Sequence, residues 1–153
     1  MADIDARIRN ISIFLTLIGL IDAAYLTYIK LAHQEAACAG IGDCEAVNSS
    51  RYAEIAGIPI ALLGAVAYIL ILLFLVFERR NNVLSENSIL FVLGFTFIGV
   101  LYSAYLTYLE LFVLHAVCPF CVLSAIVMVI LFALTLFRYL KEPQELESIE
   151  GGE

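Results

Sequence analysis

The chain has 153 residues, of which 63% are hydrophobic and only 15% charged, and its mean hydropathy is +0.98. This composition is far more apolar than that of soluble domains, and the length leaves room for one domain. The net charge of −7 comes largely from glutamates that follow the last apolar segment. The sequence has no cluster of lysine and arginine residues of the kind that binds nucleic acid, which excludes nucleic acid as a partner.

Four apolar segments predict an all-α integral membrane protein, built as a bundle of four transmembrane helices. The segments are Ile11–Leu31, Ile58–Phe77, Ile89–Leu114 and Val117–Leu140. Each is close to or longer than the roughly 20 residues that a helix needs to cross a bilayer. We therefore expect a four-helix membrane domain over residues 1–141. Residues 142–153 are expected to form an acidic, disordered cytoplasmic tail.

The positions of the basic residues predict the orientation of the chain in the plasma membrane. With four spans, six of the eight basic residues share one side of the membrane: Arg7, Arg9, Arg79, Arg80, Arg138 and Lys141. Because cytoplasmic loops are enriched in lysine and arginine, both termini are predicted to be cytoplasmic. The loops between spans one and two and between spans three and four are then exocytoplasmic.

All four cysteines lie on the predicted exocytoplasmic side of the membrane. Cys38 and Cys44 lie between spans one and two, whereas Cys118 and Cys121 form a CxxC motif where span four begins. An even number of cysteines in an oxidising compartment indicates disulfides. Cys118 is predicted at a helix N-terminus, where the helix dipole and free N–H groups favour a thiolate. Pro119 suits the first helical turn, and a second thiol three residues on permits reversible disulfide exchange.

The loop pair differs from the CxxC pair in its surroundings. Gly40 and Gly42 lie between Cys38 and Cys44, which predicts a flexible loop that could meet an external partner and then the fixed motif. Two alternatives remain at this point. The cysteines could form purely structural disulfides, or all four thiolates could bind zinc. The proline and phenylalanine inside the CxxC motif and the predicted compartment argue against zinc.

An internal repeat relates spans one and three. The sequence Ala-Tyr-Leu-Thr-Tyr at residues 24–28 recurs at 104–108, and the same offset of 80 residues relates Gly19 to Gly99 and Cys38 to Cys118. Two half-units that face each other would form the four-helix bundle with a cavity near the outer face. Small residues such as Gly64, Gly94 and Gly99 would let the helices approach closely.

These motifs together resemble the vitamin K epoxide reductase family, in its prokaryotic disulfide-forming branch. The resemblance covers nearly the whole chain and rests on residues 44–52, on residues 57–64, on a serine six residues after the second loop cysteine, and on the CxxC motif. It implies a short interfacial half-helix between helices one and two. We expect no fused thioredoxin-like domain after the fourth span, so the resemblance implies a separate thioredoxin-fold partner.

The resemblance also implies a role for each cysteine. Cys38 would exchange with the thioredoxin-fold partner, Cys44 would exchange with Cys118, and Cys121 would face a membrane quinone. Ser50 would lie near that quinone, which would be ubiquinone or menaquinone, and no metal is implied. Ala125 stands where animal members have a tyrosine, which favours plain quinone reduction over epoxide reduction. A bundle that encloses its own site needs no second copy, so a monomer is expected.

The remaining polar residues in and next to the apolar segments are interpreted from their positions. Asp22 lies in the middle of span one, where a carboxyl is costly, and is predicted to be buried. Lys30 and Glu110 lie near span ends and are expected to extend to the membrane interface. His33 and His115 are expected to be solvated loop residues rather than proton relays.

The sequence therefore predicts a membrane thiol oxidoreductase that supports disulfide bond formation. The alternative from a different class is a non-catalytic small membrane protein whose cysteines form structural disulfides. A second family of four-helix quinone reductases also has two cysteine pairs, but there the CxxC motif precedes the loop pair. In this chain the loop pair comes first.

Overall fold

The computed structural model describes residues 2–33, 42–78 and 82–150, with side chains for residues 4–33, 42–78 and 88–141. Cys38 lies outside the described residues. The elements in chain order are α1 (Ala2–Leu31), α2 (Cys44–Asn48), a 3-10 turn (Arg51–Ala53), β1 (Glu54–Ile55), β2 (Ile58–Pro59), α3 (Ile60–Phe77), α4 (Asn82–Leu109), a π-helical turn (Glu110–Leu114) and α5 (Pro119–Glu150). Four of these helices are long and apolar enough to span a membrane, which confirms the predicted fold class.

The four long helices form a closed ring. α1 packs against α3 and α5, and α4 packs against the same two helices from the opposite side. We call the end of the bundle that carries α2, the β-hairpin, the π-helical turn and the start of α5 the cysteine end. At the other end, Arg138 and Glu78 form an ion pair of 2.5 Å that joins α5 to the end of α3.

The interior of the bundle is mostly apolar, and its buried threonines form hydrogen bonds within their own helices. Tyr68, Ile71 and Leu131 are completely buried at its centre. Several buried threonines donate their hydroxyl hydrogen to the carbonyl four residues earlier in the same helix: Thr16, Thr27, Thr96 and Thr135. Because each hydroxyl has a partner within its own helix, these residues can be buried without leaving an unpaired polar group.

Two glycines related by the internal repeat allow side chains of neighbouring helices to approach α1 and α4. A Cβ atom on Gly19 would lie 2.3 Å from the ring of Tyr68, and one on Gly99 would lie 2.8 Å from the sulfur of Met128. Close approach at Gly99 was expected. At Gly94, by contrast, a Cβ atom would meet nothing within 4 Å, so this glycine does not serve helix packing.

A β-hairpin before α3 was not predicted. Glu54 pairs with Pro59 and Ile55 pairs with Ile58 in an antiparallel register. The connecting residues Ala56 and Gly57 both have positive φ angles, of 53° and 80°, as a type I′ turn requires. The predicted second span, which began at Ile58, therefore includes the second strand of the hairpin, and α3 begins at Ile60.

The last helix extends further than the sequence suggested. The backbone of residues 142–150, which we expected to be disordered, continues α5 to Glu150. Glutamate, glutamine and leucine dominate this stretch, and all three have high helix propensity. The division of the chain into a membrane domain and a cytoplasmic tail stays a prediction.

The contact at Gly19 gives a first prediction. Gly19→Ala forces the Tyr68 ring to move and should destabilise the protein by about 1–3 kcal/mol, as overpacking of a core does. Gly94→Ala is the matched control, because open space surrounds that position and alanine is the better helix former. Thermal unfolding in detergent should show a lower Tm for Gly19→Ala only. Equal Tm values for the two variants would contradict the packing account.

Candidate active site

The CxxC motif forms the N-terminal cap of α5. The carbonyl of Cys118 accepts a hydrogen bond from the N–H of Val122 at 3.0 Å, and its Sγ accepts one from the N–H of Cys121 at 3.4 Å. Pro119 is the first helical residue, as predicted. Cys118 and Cys121 are both free thiols, the first fully buried and the second half-buried. Cys118 therefore occupies the capping position, where a side-chain acceptor satisfies a free N–H of the first turn.

This arrangement makes Cys118 the more acidic thiol. A hydrogen bond with the Cys121 thiol and the backbone N–H groups of Cys121 and Phe120 lower the pKa of Cys118 below its ordinary value. Burial and the nearby Glu110 carboxylate oppose this shift without cancelling it. Because the thiolate is the reactive form in thiol chemistry, Cys118 is suited to exchange.

Glu110 is the acidic partner of the motif. It is only 3% exposed, and its Oε2 accepts a hydrogen bond from the N–H of Cys118 at 3.2 Å. Its carboxylate also hydrogen-bonds with the side chain of Cys121. The expectation that Glu110 extends to the membrane interface is therefore wrong. Its charge within an apolar segment, eight residues before Cys118, was the signal that could have revealed this role.

Local backbone geometry explains why Glu110 faces the motif. α4 changes to a π-helical turn at Glu110, and the turn ends at His115, whose φ of 51° lies in the left-handed region. The N–H of Ala116 bonds to the carbonyl of Glu110 at 3.1 Å, which folds the chain back towards α5. π-helical turns of this kind occur often at functional sites.

The segment that carries Cys44 is bound to the residue before the motif. The N–H of Asp43 donates to the carbonyl of Val117 at 3.1 Å. Gly42, with a φ of +84°, packs so closely that a Cβ atom there would lie 2.2 Å from the same carbonyl oxygen. Asp43 also caps α2 by accepting from the N–H of Ala46 at 3.0 Å. Cys44 is disulfide-bonded and only 1% exposed, so this cysteine is held against the bundle rather than mobile as expected.

Lys30, near the end of α1, binds both α2 and the β-hairpin. Its ammonium donates a hydrogen bond to the carbonyl of Asn48 and forms an ion pair with Glu54 at 3.1 Å. The expectation that Lys30 simply extends to the interface is therefore incomplete, because its side chain is only 12% exposed and holds both α2 and the β-hairpin. The predicted short helix between the first two spans is present as α2 and the following 3-10 turn.

A cavity of about 370 Å³ lies between the four long helices at the cysteine end. Its walls are mostly apolar, and both Cys118 and Cys121 line it together with Glu110. Equivalent positions of the repeat contribute to it, since Leu26 and Leu106 both lie on its surface. The predicted cavity between the two half-units is thus present. Its other polar lining residues include Asp22, Asn48, Tyr68, Tyr102, Ser103, Thr107 and Ser124.

Ser50 does not line this cavity in the part of the chain that the structure describes. Its hydroxyl donates to the carbonyl of Val47 at 2.7 Å and thereby stabilises the end of the half-helix. Val47 and Asn48, from the same region, form part of the cavity wall instead. The assignment of Ser50 to quinone binding stays a prediction.

The remaining polar candidates differ in their surroundings. Asp22 is buried, as predicted, and neither of its carboxylate oxygens has a hydrogen-bond partner among the described residues. His33 and His115 are exposed, and neither lines the cavity. Within residues 2–33, 42–78 and 82–150, no group of three or more potential metal ligands occurs. Cys38 lies outside these ranges.

Two comparisons with known proteins give matches over most of the chain. A sequence profile described as the vitamin K epoxide reductase family matches residues 10–136. The chain is also 33% identical, over 138 residues, to the thiol-disulfide oxidoreductase LTO1 of Arabidopsis thaliana. The alignment covers 86% of this chain and 36% of the relative, so the chain spans about a third of the length of that protein.

The thiol arrangement yields a second prediction. Cys121→Ala removes the thiol that hydrogen-bonds with Cys118, so the pKa of Cys118 should rise. The rate of Cys118 alkylation by iodoacetamide, followed by mass spectrometry, should then reach its plateau at a higher pH than in the wild type. Val122→Ala is the control, since Val122 is the next residue and is partly exposed. An unchanged pH profile in Cys121→Ala would contradict the assignment.

Proposed function

Since the chain is a multi-pass membrane oxidoreductase of the vitamin K epoxide reductase family, we propose that it oxidises a separate thioredoxin-fold protein and reduces a membrane quinone, ubiquinone or menaquinone. Electrons pass from the partner's dithiol to Cys38 and Cys44, then to Cys118 and Cys121, and then to the quinone. The observation that carries this proposal is the pair of free thiols on the wall of an apolar cavity. The cycle supports disulfide bond formation in exocytoplasmic proteins.

The cavity suits a quinone in size and character. Its volume of about 370 Å³ falls within the range of small-molecule pockets, and side chains such as Leu26, Phe95 and Leu106 supply apolar walls for a flat ring. A bound quinone supplies an acceptor for two electrons and two protons. Cys121 and Glu110 provide thiol and carboxylate groups on the same wall. Residues of a single chain line this cavity, and we propose that the protein acts as a monomer.

The lowered pKa of Cys118 favours one step of the proposed exchange. The Cys44 thiolate attacks the sulfur of Cys118 in the oxidised motif, and Cys121 is released. Cys38 then attacks Cys44, which closes the loop disulfide and releases Cys118. Because a thiol of lower pKa leaves faster, the lowered pKa of Cys118 favours this second step. The hydrogen bond from Asp43 to Val117 supports the pairing, since it holds the Cys44 segment beside the motif.

Glu110 is suited to accept the proton of Cys121. When the motif is reoxidised, Cys118 and Cys121 together lose two electrons and two protons and form a disulfide. Cys118, the more acidic thiol, loses its proton first. The proton of Cys121 can move to the Glu110 carboxylate, which hydrogen-bonds with that side chain. Because Glu110 also lines the cavity, it can return this proton towards the quinone.

A non-catalytic protein with structural disulfides fits these observations less well. Such a protein would use its cysteine pairs as fixed cross-links, whereas Cys118 and Cys121 are unlinked in the structure. They also line a cavity, where a structural cross-link has no evident purpose.

The proposed order of electron transfer predicts distinct defects for the cysteine variants. Quinone reduction by the purified protein, with a reduced thioredoxin-fold protein as donor, should be lost in Cys121→Ala and in Cys38→Ala. With dithiothreitol as donor, Cys38→Ala should keep activity, because a small dithiol can reduce the inner pair directly. A wild-type protein that keeps its disulfides and never reduces quinone would instead favour the structural alternative.

The proposed role of Glu110 predicts a defect limited to the quinone step. Glu110→Gln keeps an oxygen that can accept from the N–H of Cys118 but cannot take a proton, so quinone reduction should slow by about 10²-fold. Exchange between the reduced loop pair and the oxidised motif should not slow, because removal of the Glu110 charge lowers the pKa of Cys118 further. Glu45→Gln, at an exposed acid on α2, is the control. Rapid mixing of prereduced protein with quinone measures the step, and a Glu110→Gln rate equal to the control would refute the role.

A further inference from the structure

Asp22 is a buried carboxyl without a partner on the wall of the same cavity. It lies on α1, within the span Ile4–Leu31, and is only 6% exposed. Both carboxylate oxygens lack a hydrogen-bond partner among the described residues. The thiol chemistry proposed above makes no use of this residue, although it lines the cavity that contains Cys121.

Leaving such a group unpaired is costly, and more so when it is ionised. No lysine, arginine or histidine occurs among the described residues that line the cavity, so none of them supplies a counter-charge for an ionised Asp22. A neutral carboxyl can donate one hydrogen bond and accept others. No group in the described part of the chain uses this capacity, which leaves it available to a ligand in the cavity.

The surroundings of Asp22 form a second polar site in the cavity. Tyr68 packs on Gly19, one helical turn before Asp22, and is close enough to interact electrostatically with the aspartate. The Tyr68 hydroxyl lies 2.9 Å from the hydroxyl of Ser124, which is one turn after Cys121 on α5. The mostly apolar cavity thus has polar groups at Asp22 and Tyr68 in addition to those at Cys121 and Glu110, and Asp22 is the one whose oxygens lack a partner among the described residues.

We propose that Asp22 binds the quinone through the ring oxygen that lies farther from Cys121. This inference rests on the proposed function, since it concerns the same cavity and the same substrate. A 1,4-quinone has two oxygens on opposite sides of a flat apolar ring, so the groups at Cys121 and Glu110 can contact one oxygen while Asp22 contacts the other. Neutral Asp22 donates a hydrogen bond to the quinone oxygen. After reduction has turned that oxygen into a hydroxyl group, Asp22 accepts a hydrogen bond from it.

Three variants separate this role from a structural one. Asp22→Leu removes the hydrogen-bonding group while keeping a side chain of similar size, and Asp22→Asn keeps a donor and an acceptor. Ser12→Ala is the matched control, because Ser12 is a buried polar residue on the same helix whose hydroxyl has no partner among the described residues and which does not line the cavity. The probe is decylubiquinone, added to the oxidised protein for binding and to the reduced protein for turnover.

The binding measurement is the increase in Tm that decylubiquinone produces in the oxidised protein, where no turnover occurs. The inference predicts that Asp22→Leu loses most of this increase and has a KM for quinone about tenfold higher, as expected for one lost hydrogen bond to a buried group. Asp22→Asn should keep both values within about threefold of the wild type, since an amide can still donate. Without quinone, the Tm of Asp22→Leu should be no lower than that of the wild type, because an unpaired polar group has been removed.

Two outcomes would overturn the inference. In the first, Asp22→Leu binds and reduces decylubiquinone with the same KM as Ser12→Ala. In the second, Asp22→Asn is as defective as Asp22→Leu, which would deny the hydrogen bond. A wild-type protein that does not reduce decylubiquinone would instead contradict the proposed function, so the two failures can be told apart.

Discussion

The hydrogen bond from the N–H of Cys118 to the carboxylate of Glu110 is the interaction on which the rest of the site depends. It joins the end of one transmembrane helix to the start of the next at the residue that carries the reactive thiol. The N–H at that position is buried and needs an acceptor, and a carboxylate is a strong one. The π-helical turn places Glu110 beside the N–H of Cys118. The carbonyl of Val117, in the same peptide group, accepts a hydrogen bond from the N–H of Asp43. The contacts between the π-helical turn and the start of α5 thus position the CxxC motif, the Cys44 segment and part of the cavity wall.

The bundle keeps this junction rigid while leaving space beside it. Close packing at Gly19 and Gly99 draws neighbouring side chains against α1 and α4, and the buried threonines satisfy their own hydroxyls within their helices. At the cysteine end, by contrast, the carboxylate oxygens of Asp22 line the cavity without a hydrogen-bond partner among the described residues. An unpaired carboxyl is costly in a membrane interior, and this cost is the physical basis for the proposal that Asp22 binds a ligand.

The sequence allowed the four spans, the helix start at Pro119 and a cavity between the repeated halves to be predicted, because hydrophobic length and repeat spacing depend on local patterns. It did not predict that Glu110 turns inward, since that depends on a π-helical turn and on an unpaired N–H eight residues later in the chain. The β-hairpin was missed because only one of its turn residues is glycine, while Ala56 also adopts a positive φ. The positions of Ser50 and Asn48 relative to the cavity depend on Lys30, whose contacts are tertiary.

The central claim is that the Cys118–Cys121 pair passes its electrons directly to a quinone in the cavity. The most direct measurement is a single anaerobic turnover, in which fully reduced protein is mixed with excess ubiquinone analogue and both products are counted. Quinol is followed by absorbance, and the new disulfide is located by mass spectrometry after trapping with an alkylating agent. The account predicts one quinol for each disulfide formed, with the first disulfide between Cys118 and Cys121. Quinol formation that leaves both of these thiols reduced would contradict it.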